Sequence, residues 1–216
     1  GTGQAQWTYD ANQSVFTHQV NIFSDTTYYF LTVDLGTGKR ISTRASSSLS
    51  PTNFVNTFND FQYHEADLVN LLKSGREWYG ETLDLLNANR SFNFTFPNIV
   101  SGLSASLRAN FIGRATFSTN HNSNNIILTA NGQTVGQQNY NDVGTSPQDN
   151  YAVPVVINTN FTTGPSNLNV GVQLSSTDPN STVWVNYLEV NVRRYLDMSG
   201  SSPQLEFRDL QSVGTG

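Results

Sequence analysis

The sequence predicts an all-β protein built as a two-sheet β-sandwich, and three observations lead to this prediction. Charged residues make up 12% of the 216 residues, and Lys39 and Lys73 are the two lysines, whereas helices draw on Ala, Leu, Glu and Lys. Apolar and polar residues alternate with period two in many segments, for example over 103–111. Turn signals such as Asn131 followed by Gly132 separate these segments at short intervals. Strands of this kind pack as two sheets, and a jelly-roll-like (galactose-binding-like) sandwich is the expected arrangement.

The strands follow from the same alternation, taken in chain order. The first is predicted over 26–35 (TTYYFLTVDL), which ends at a Gly-Thr-Gly turn. An extended segment with regularly placed aromatic residues follows over 54–64. Further strands are predicted over 91–99, 103–111, 125–130, 133–139, 152–158, 168–174, 183–196 and 204–207.

One segment has helical spacing, so at most one short helix is expected, near 65–73. Leu68, Leu71 and Leu72 would share one face of that helix, and Gly75 would end it. The domain prediction is a single sandwich over 1–200. A polar stretch at 87–89 allows the strands before about residue 88 to form a separate sub-region. Residues 201–216 are expected to be a C-terminal linker, because neither end of the chain resembles a natural terminus.

Composition excludes several function classes. The net charge of −5 argues against binding to nucleic acid, which calls for a basic face. No stretch approaches the roughly 20 apolar residues of a membrane-spanning helix, so a membrane-spanning protein is not predicted. The 216 residues contain no cysteine, so they offer no thiolate metal site and no cysteine nucleophile.

Residues that could carry chemistry are few. The three histidines, His18, His64 and His121, do not have metal-ligand spacing. A strand end beside acidic residues is the favoured interpretation of His64. The acids Asp142 and Asp149 in the polar loop 139–150 are candidates for a structural calcium site, although their spacing does not match an EF-hand. No other metal and no cofactor is predicted.

The run NLLKSGREWYGE at 70–81 is the most distinctive stretch of the chain. It resembles a signature in the sortase of the type IX secretion system of Bacteroidetes, a surface relative of the gingipain-like cysteine peptidases (peptidase family C25). The segments beginning at Gln6, Trp184 and Gln204 are similar to neighbouring parts of the same family. The resemblance therefore spans nearly the whole chain.

This resemblance implies a parent protein at the cell surface, on the extracellular side of the outer membrane. Such a parent would be a cysteine endopeptidase that trims secreted cargo, and its catalytic residues would lie downstream. The present chain would be the non-catalytic β-rich region, with 201–216 leading toward that missing catalytic domain. Its partners would be its own downstream peptidase domain and also secreted cargo or an outer-membrane shuttle protein. Within the run, Lys73, Arg76, Glu77 and Trp78 are the candidate interface residues.

The favoured alternative for this run is structural, a Gly-hinged turn pinned by Arg76 with Trp78 and Tyr79 in the core. For the whole chain the main alternative is a carbohydrate-binding module, which exposed aromatics on a concave sheet would favour and three buried tryptophans (Trp7, Trp78, Trp184) would weaken. A glycoside hydrolase fragment would require two facing acids, and five acidic residues cluster over 65–84. A purely structural spacer is the remaining alternative.

Overall fold

The computed structural model of the protein describes residues 6–20, 26, 28–33, 36–50, 54–73, 77–116, 123–199 and 207–209. Within these residues the chain forms strands and no helix. The strands are β1 (Gln6–Asp10), β2 (Val15–Gln19), β3 (Thr57–Glu65), β4 (Thr82–Asp84), β5 (Asn89–Thr95), β6 (Ser104–Arg114), β7 (Asn125–Ala130), β8 (Gln133–Asn139), β9 (Val153–Thr162), β10 (Asn167–Ser175) and β11 (Thr182–Tyr195). The prediction of an all-β protein is confirmed.

Two antiparallel sheets form the sandwich. One sheet has the strand order β3-β11-β6-β9, with β4 also paired to β11. The other has the order β5-β10-β7-β8. Strands that are neighbours in space are mostly distant in sequence, so the chain crosses repeatedly between the sheets, as a jelly-roll-like sandwich requires.

The core lies between the two sheets because alternate residues of each strand point inward. Burial along β6 alternates strictly, and its inward residues are Ala105, Leu107, Ala109, Phe111 and Gly113. The facing sheet contributes fully buried aliphatic residues, among them Ile126, Leu128, Val170 and Val172. Burying a side chain of this size stabilises the fold by about 1.5–3 kcal/mol relative to leaving it exposed. The apolar residues that this alternation places on the inner faces therefore hold the two sheets together.

A third, two-stranded sheet is formed by the hairpin of β1 and β2. It is attached to β11 by polar groups. The side chain of Asn191 accepts a hydrogen bond from the Phe16 amide at 2.8 Å and donates one to the Phe16 carbonyl at 2.9 Å. The Phe16 side chain is buried. The backbone of the hairpin is thus bonded to a side chain of the sandwich.

Residues 207–209 contact the sandwich at β3. The Asn59 amide donates to the Arg208 carbonyl at 2.8 Å, and Arg193 forms an ion pair with Asp209 at 2.5 Å. The Phe207 ring meets the Phe58 ring edge-on. Part of the expected C-terminal linker therefore lies against the sandwich, and the domain boundaries stay a prediction.

The structure corrects two local expectations. The optional helix near 65–73 does not form, because Leu68 and Leu72 are exposed and have no core to cover them. Instead, Val69 pairs with Tyr79 across an isolated bridge. The predicted strand over 26–35 is absent from residues 28–33, which are exposed and outside any strand. The predicted strand over 204–207 lies outside the described residues except for Phe207, which is not in a strand.

Candidate functional site

The predicted interface residues lie in the connection between β3 and β4. Lys73 is exposed and has a positive φ of 52°, which marks a tight turn. Glu77 is exposed, and the Trp78 side chain is 45% exposed. Arg76 lies outside the described residues. The described members of this set are therefore on the surface, and Trp78 is not in the core.

The residues that follow Trp78 anchor the run to the sandwich. Tyr79 is buried, and its backbone exchanges hydrogen bonds with Val69, with N···O distances of 2.8 Å in both directions. The Gly80 amide donates to the Val185 carbonyl at 2.7 Å. A Cβ at Gly80 would lie 3.1 Å from the Ala66 carbonyl oxygen, so glycine permits this close approach. The backbone contacts of Tyr79 and Gly80 therefore fix this part of the run to the sandwich, with Trp78 at the surface.

Burial raises the pKa of Tyr79 to about 12, and the hydrogen bond from its hydroxyl to Glu77 acts in the same direction. The hydroxyl therefore stays protonated and donates to the Glu77 carboxylate at 3.0 Å. Glu77, predicted as an interface residue, also has this local structural role.

A groove with a volume of about 380 Å³ opens between the edge strands β3 and β5. His64, at the end of β3, lies on one wall, and its Nε2 is 3.0 Å from Glu81 Oε1. The His64 ring packs on the Phe92 ring with centroids 4.6 Å apart. Arg90 and Phe94 line the other wall, on β5. The groove therefore joins an apolar surface to one paired carboxylate and one guanidinium.

A second cluster lies under the β1–β2 hairpin and centres on His18 of β2. Its Nδ1 is 2.7 Å from Glu189 Oε1, and its Nε2 is 2.5 Å from Glu65 Oε2. The ring stacks on Tyr63 and meets Tyr187 edge-on. The side chain of His18 is 6% exposed and that of Glu189 is 2% exposed. This is a buried charge cluster assembled from β2, β3 and β11.

Burial by itself would lower the pKa of His18. Hydrogen bonds to Glu189 and Glu65, together with their charges, outweigh it and raise the pKa to about 9. His18 is therefore an imidazolium at neutral pH, with both ring N–H groups donated to carboxylates. Arg108 of β6 adds a second cation 3.2 Å from Glu189 Oε2. Because both ring nitrogens are occupied, the cluster suits the attachment of the hairpin better than proton transfer.

The two calcium candidates, Asp142 and Asp149, have separate local partners. Asp142 accepts a hydrogen bond from the buried side chain of Asn124 at 2.7 Å. Asp149 accepts one from the Ser146 amide at 2.8 Å. No group of three or more His, Cys, Asp or Glu residues that could hold a metal is found in the described part of the chain. Calcium binding by this loop stays a prediction.

The tryptophans do not come together as a platform. Trp184 is buried in β11, and Trp78 lies in a loop. The side chain of Trp7 and all of His121 lie outside the described residues. The described tryptophans therefore satisfy neither of the conditions attached to the carbohydrate-binding alternative.

Comparison with solved structures finds a protein that contains a region with the same fold as this chain. The crystal structure of dimeric latent PorU from Porphyromonas gingivalis matches 97% of this chain with a TM-score of 0.80 and 19% sequence identity. The chain corresponds to 19% of the length of the PorU structure. The chain therefore has the fold of one region of PorU.

Other solved structures match less well. A CBM36 carbohydrate-binding module in complex with calcium and xylotriose matches 63% of this chain and 99% of its own length, with a TM-score of 0.38 and 15% identity. A family 35 carbohydrate-binding module from Clostridium thermocellum matches 62% of this chain and 90% of its own length, with a TM-score of 0.30 and 17% identity. No protein-family model and no curated protein matches the sequence. No helix in the described part of the chain has the length and apolar character needed to cross a bilayer.

Sequence reasoning missed the His18 cluster and the groove. Residues of the cluster are separated by 47 and 171 positions along the chain, so no local spacing could reveal them. The charge of Glu189 between the apolar residues Leu188 and Val190 was an available signal, because a carboxylate at a core position requires a partner. The groove depends on which strands become sheet edges, and a single sequence does not specify that order.

Proposed function

We propose that the chain is a non-catalytic β-sandwich module of a surface cysteine peptidase of the type IX sortase kind, and that it positions the peptidase domain. The PorU fold over 97% of the chain supports this proposal. The resemblance of the 70–81 run to the sortase family supports it independently. A cysteine nucleophile would have to come from another part of the parent protein, since these 216 residues contain none.

The observation that carries the docking role is the uncovered apolar segment 28–33 (YYFLTV). Its members Tyr29, Phe30 and Leu31 are 92%, 96% and 90% exposed, and the segment contains no charge. Soluble monomers rarely expose contiguous apolar surface of this kind, whereas interdomain interfaces cover it. We infer that the peptidase domain covers this segment in the parent protein.

The candidate interface residues of the 70–81 run, Lys73, Arg76, Glu77 and Trp78, form a second proposed contact. Trp78 supplies an exposed aromatic side chain of the type enriched in interface hot spots. Secreted cargo or an outer-membrane shuttle protein is the further proposed partner of this surface. The proposed location of the parent is the outer membrane, on its extracellular side.

The test is a binding titration of the purified chain against the separately produced peptidase domain of its parent. A one-to-one complex is expected. Replacing Phe30 and Leu31 together by Ser should weaken it about tenfold or more, because exposed apolar anchors dominate such interfaces. Leu86→Ser is the matched control, since Leu86 is an equally exposed apolar residue elsewhere. It should leave the affinity within about twofold.

Two results would count against the proposal. The first is a chain that ignores the peptidase domain yet binds a glycan on an array, which would favour a carbohydrate-binding module. The second is cleavage of a cargo sorting domain by this chain alone, which would make the module catalytic.

A further inference from the structure

The two long sides of the sandwich differ. On one side β8 and β9 meet, and the Thr159 hydroxyl of β9 donates to the Val135 carbonyl of β8. On the other side the edge strands β3 and β5 stand apart, and the groove lies between them. A hydrogen bond from the Gln62 side chain to the Thr95 carbonyl, 2.6 Å long, spans one end of this gap. The sandwich is therefore open along β5.

The register of β5 shows which backbone groups face this opening. Phe96 donates to Ser166, and Leu174 donates to the Ala88 carbonyl, so even-numbered residues of this stretch bond toward β10. In an antiparallel ladder the residues between them direct their N–H and C=O groups the other way. The Thr95 carbonyl, which accepts from Gln62 across the gap, agrees with this assignment.

Two residues in the middle of β5 keep unpaired backbone groups at the edge. The outward carbonyls of Asn89 and Thr95 accept side-chain hydrogen bonds from Arg90 and Gln62. For Ser91 and Asn93 no backbone partner on that side occurs among the residues that the structure describes. Backbone N–H donors and C=O acceptors that face outward together at a sheet edge form a template for an added strand.

The inward side chains of β5 define what an added strand would meet. Phe92 and Phe94 are buried residues that line the groove beside His64. The Arg90 guanidinium contacts the Asn89 carbonyl and forms no ion pair with a described carboxylate. The neighbouring acid Glu81 is already paired with His64. The groove therefore offers two apolar positions and one unneutralised cation, spaced two residues apart.

We propose that β5 is a peptide-binding edge that receives an extended segment of a separate polypeptide. The segment adds as a fifth strand beside β5 and pairs with the backbone of Ser91 and Asn93. Every second side chain of the segment enters the groove, two of them apolar and one a carboxylate that pairs with Arg90. This role is independent of the docking of segment 28–33, which lies in a different part of the chain.

The test uses the full chain, labelled with nitrogen-15, and two heptapeptides with blocked ends. Their sequences are Thr-Asp-Thr-Val-Thr-Val-Thr and the reverse order, which covers antiparallel and parallel pairing. We expect saturable shifts of the Ser91 and Asn93 amides with one of them. Replacing Asp by Lys in the peptide, or Arg90→Gln in the chain, should weaken binding about fivefold.

The decisive variant is Asn93→Pro, which removes the outward N–H and leaves the bonds to β10 intact, because proline is tolerated where an edge N–H faces outward. Asn93→Ala is its matched control, since both variants lose the hydrogen bond from Asn169 to the Asn93 side chain. Asn93→Pro should weaken binding about tenfold relative to Asn93→Ala. A peptide methylated at alternate backbone nitrogens gives the same comparison without altering the chain.

Four results would overturn the inference. The first three are no saturable shift at several millimolar peptide, equal binding by the proline and alanine variants, and equal binding of the Asp and Lys peptides. Protection of the Ser91 and Asn93 amides in the parent protein without added peptide would also overturn it, and would assign the edge to a segment of the parent.

Discussion

His18 shows how one residue can attach an element of structure by charge. Its two ring nitrogens contact carboxylates from two different strands, Glu65 of β3 and Glu189 of β11. Breaking such a buried arrangement leaves a charge without a partner, which costs several kcal/mol. The cluster therefore attaches the hairpin strongly as long as His18 carries its proton.

The proton on His18 makes stability depend on pH. The folded pKa of about 9 lies above the unfolded value of 6.5, so the stabilisation is fully present below pH 6.5 and is lost as the pH rises through about 9. A shift of this size corresponds to at most about 3.5 kcal/mol. We expect urea unfolding to show a free energy of unfolding that falls between pH 6.5 and 10.

The variant His18→Gln should remove most of this fall, while His64→Gln should retain it because the His18 cluster is intact. Charged neighbours that face His18 are Glu65 and Glu189, with Arg108 behind Glu189. If His18→Gln and the unmodified chain lose stability equally over this range, the charged state assigned to His18 is wrong.

At the scale of elements, the β1–β2 hairpin is a small sheet that depends on the larger one. Its own ladder joins two strands of five residues, and an isolated two-stranded hairpin is at best marginally stable in water. Asn191 supplies the missing contacts by bonding both backbone groups of Phe16. The hairpin therefore stays ordered because β11 provides a partner.

Asn191→Leu should weaken the attachment of the hairpin without unfolding the sandwich. Leucine fills similar space but removes the two hydrogen bonds that the Asn191 side chain makes to the Phe16 backbone, at a cost of about 2 kcal/mol. Hydrogen exchange should accelerate over 6–19 and stay slow over 125–130, which lies in the other sheet. Uniform acceleration over both ranges would show that the hairpin and the sandwich unfold as one unit.

The elements also show where sequence reasoning succeeds. The hairpin of β7 and β8 was predictable because Asn131 and Gly132 have positive φ angles of 49° and 81°, the conformation that this dipeptide favours. The alternation of β6 likewise needed no knowledge of distant residues. The same alternation over 26–35 gave a wrong prediction for 28–33, because a strand needs a neighbour and the described chain supplies none there.

At the scale of the whole molecule, a well-packed sandwich carries an apolar segment that the sandwich does not use. The core is continuous between the sheets, whereas 28–33 stands uncovered outside it. Segment 28–33 alternates like a strand in the sequence but is not in a strand in the structure. The two observations are consistent if its pairing partner lies in another domain. In that case the sequence correctly indicated the strand propensity of 26–35. The error was to expect its neighbouring strand within this chain.

This uncovered segment predicts how the isolated chain behaves in solution. With Phe30 and Leu31 exposed, the chain should self-associate as its concentration rises and should bind the dye ANS. Replacing both residues by Ser should reduce dye binding and shift the sedimentation profile toward monomer. The melting temperature should stay within about 2 °C, because neither side chain contributes to the core. A fall of about 10 °C in the double variant would instead show that 28–33 packs on the sandwich, and its proposed role as a surface for another domain would be withdrawn.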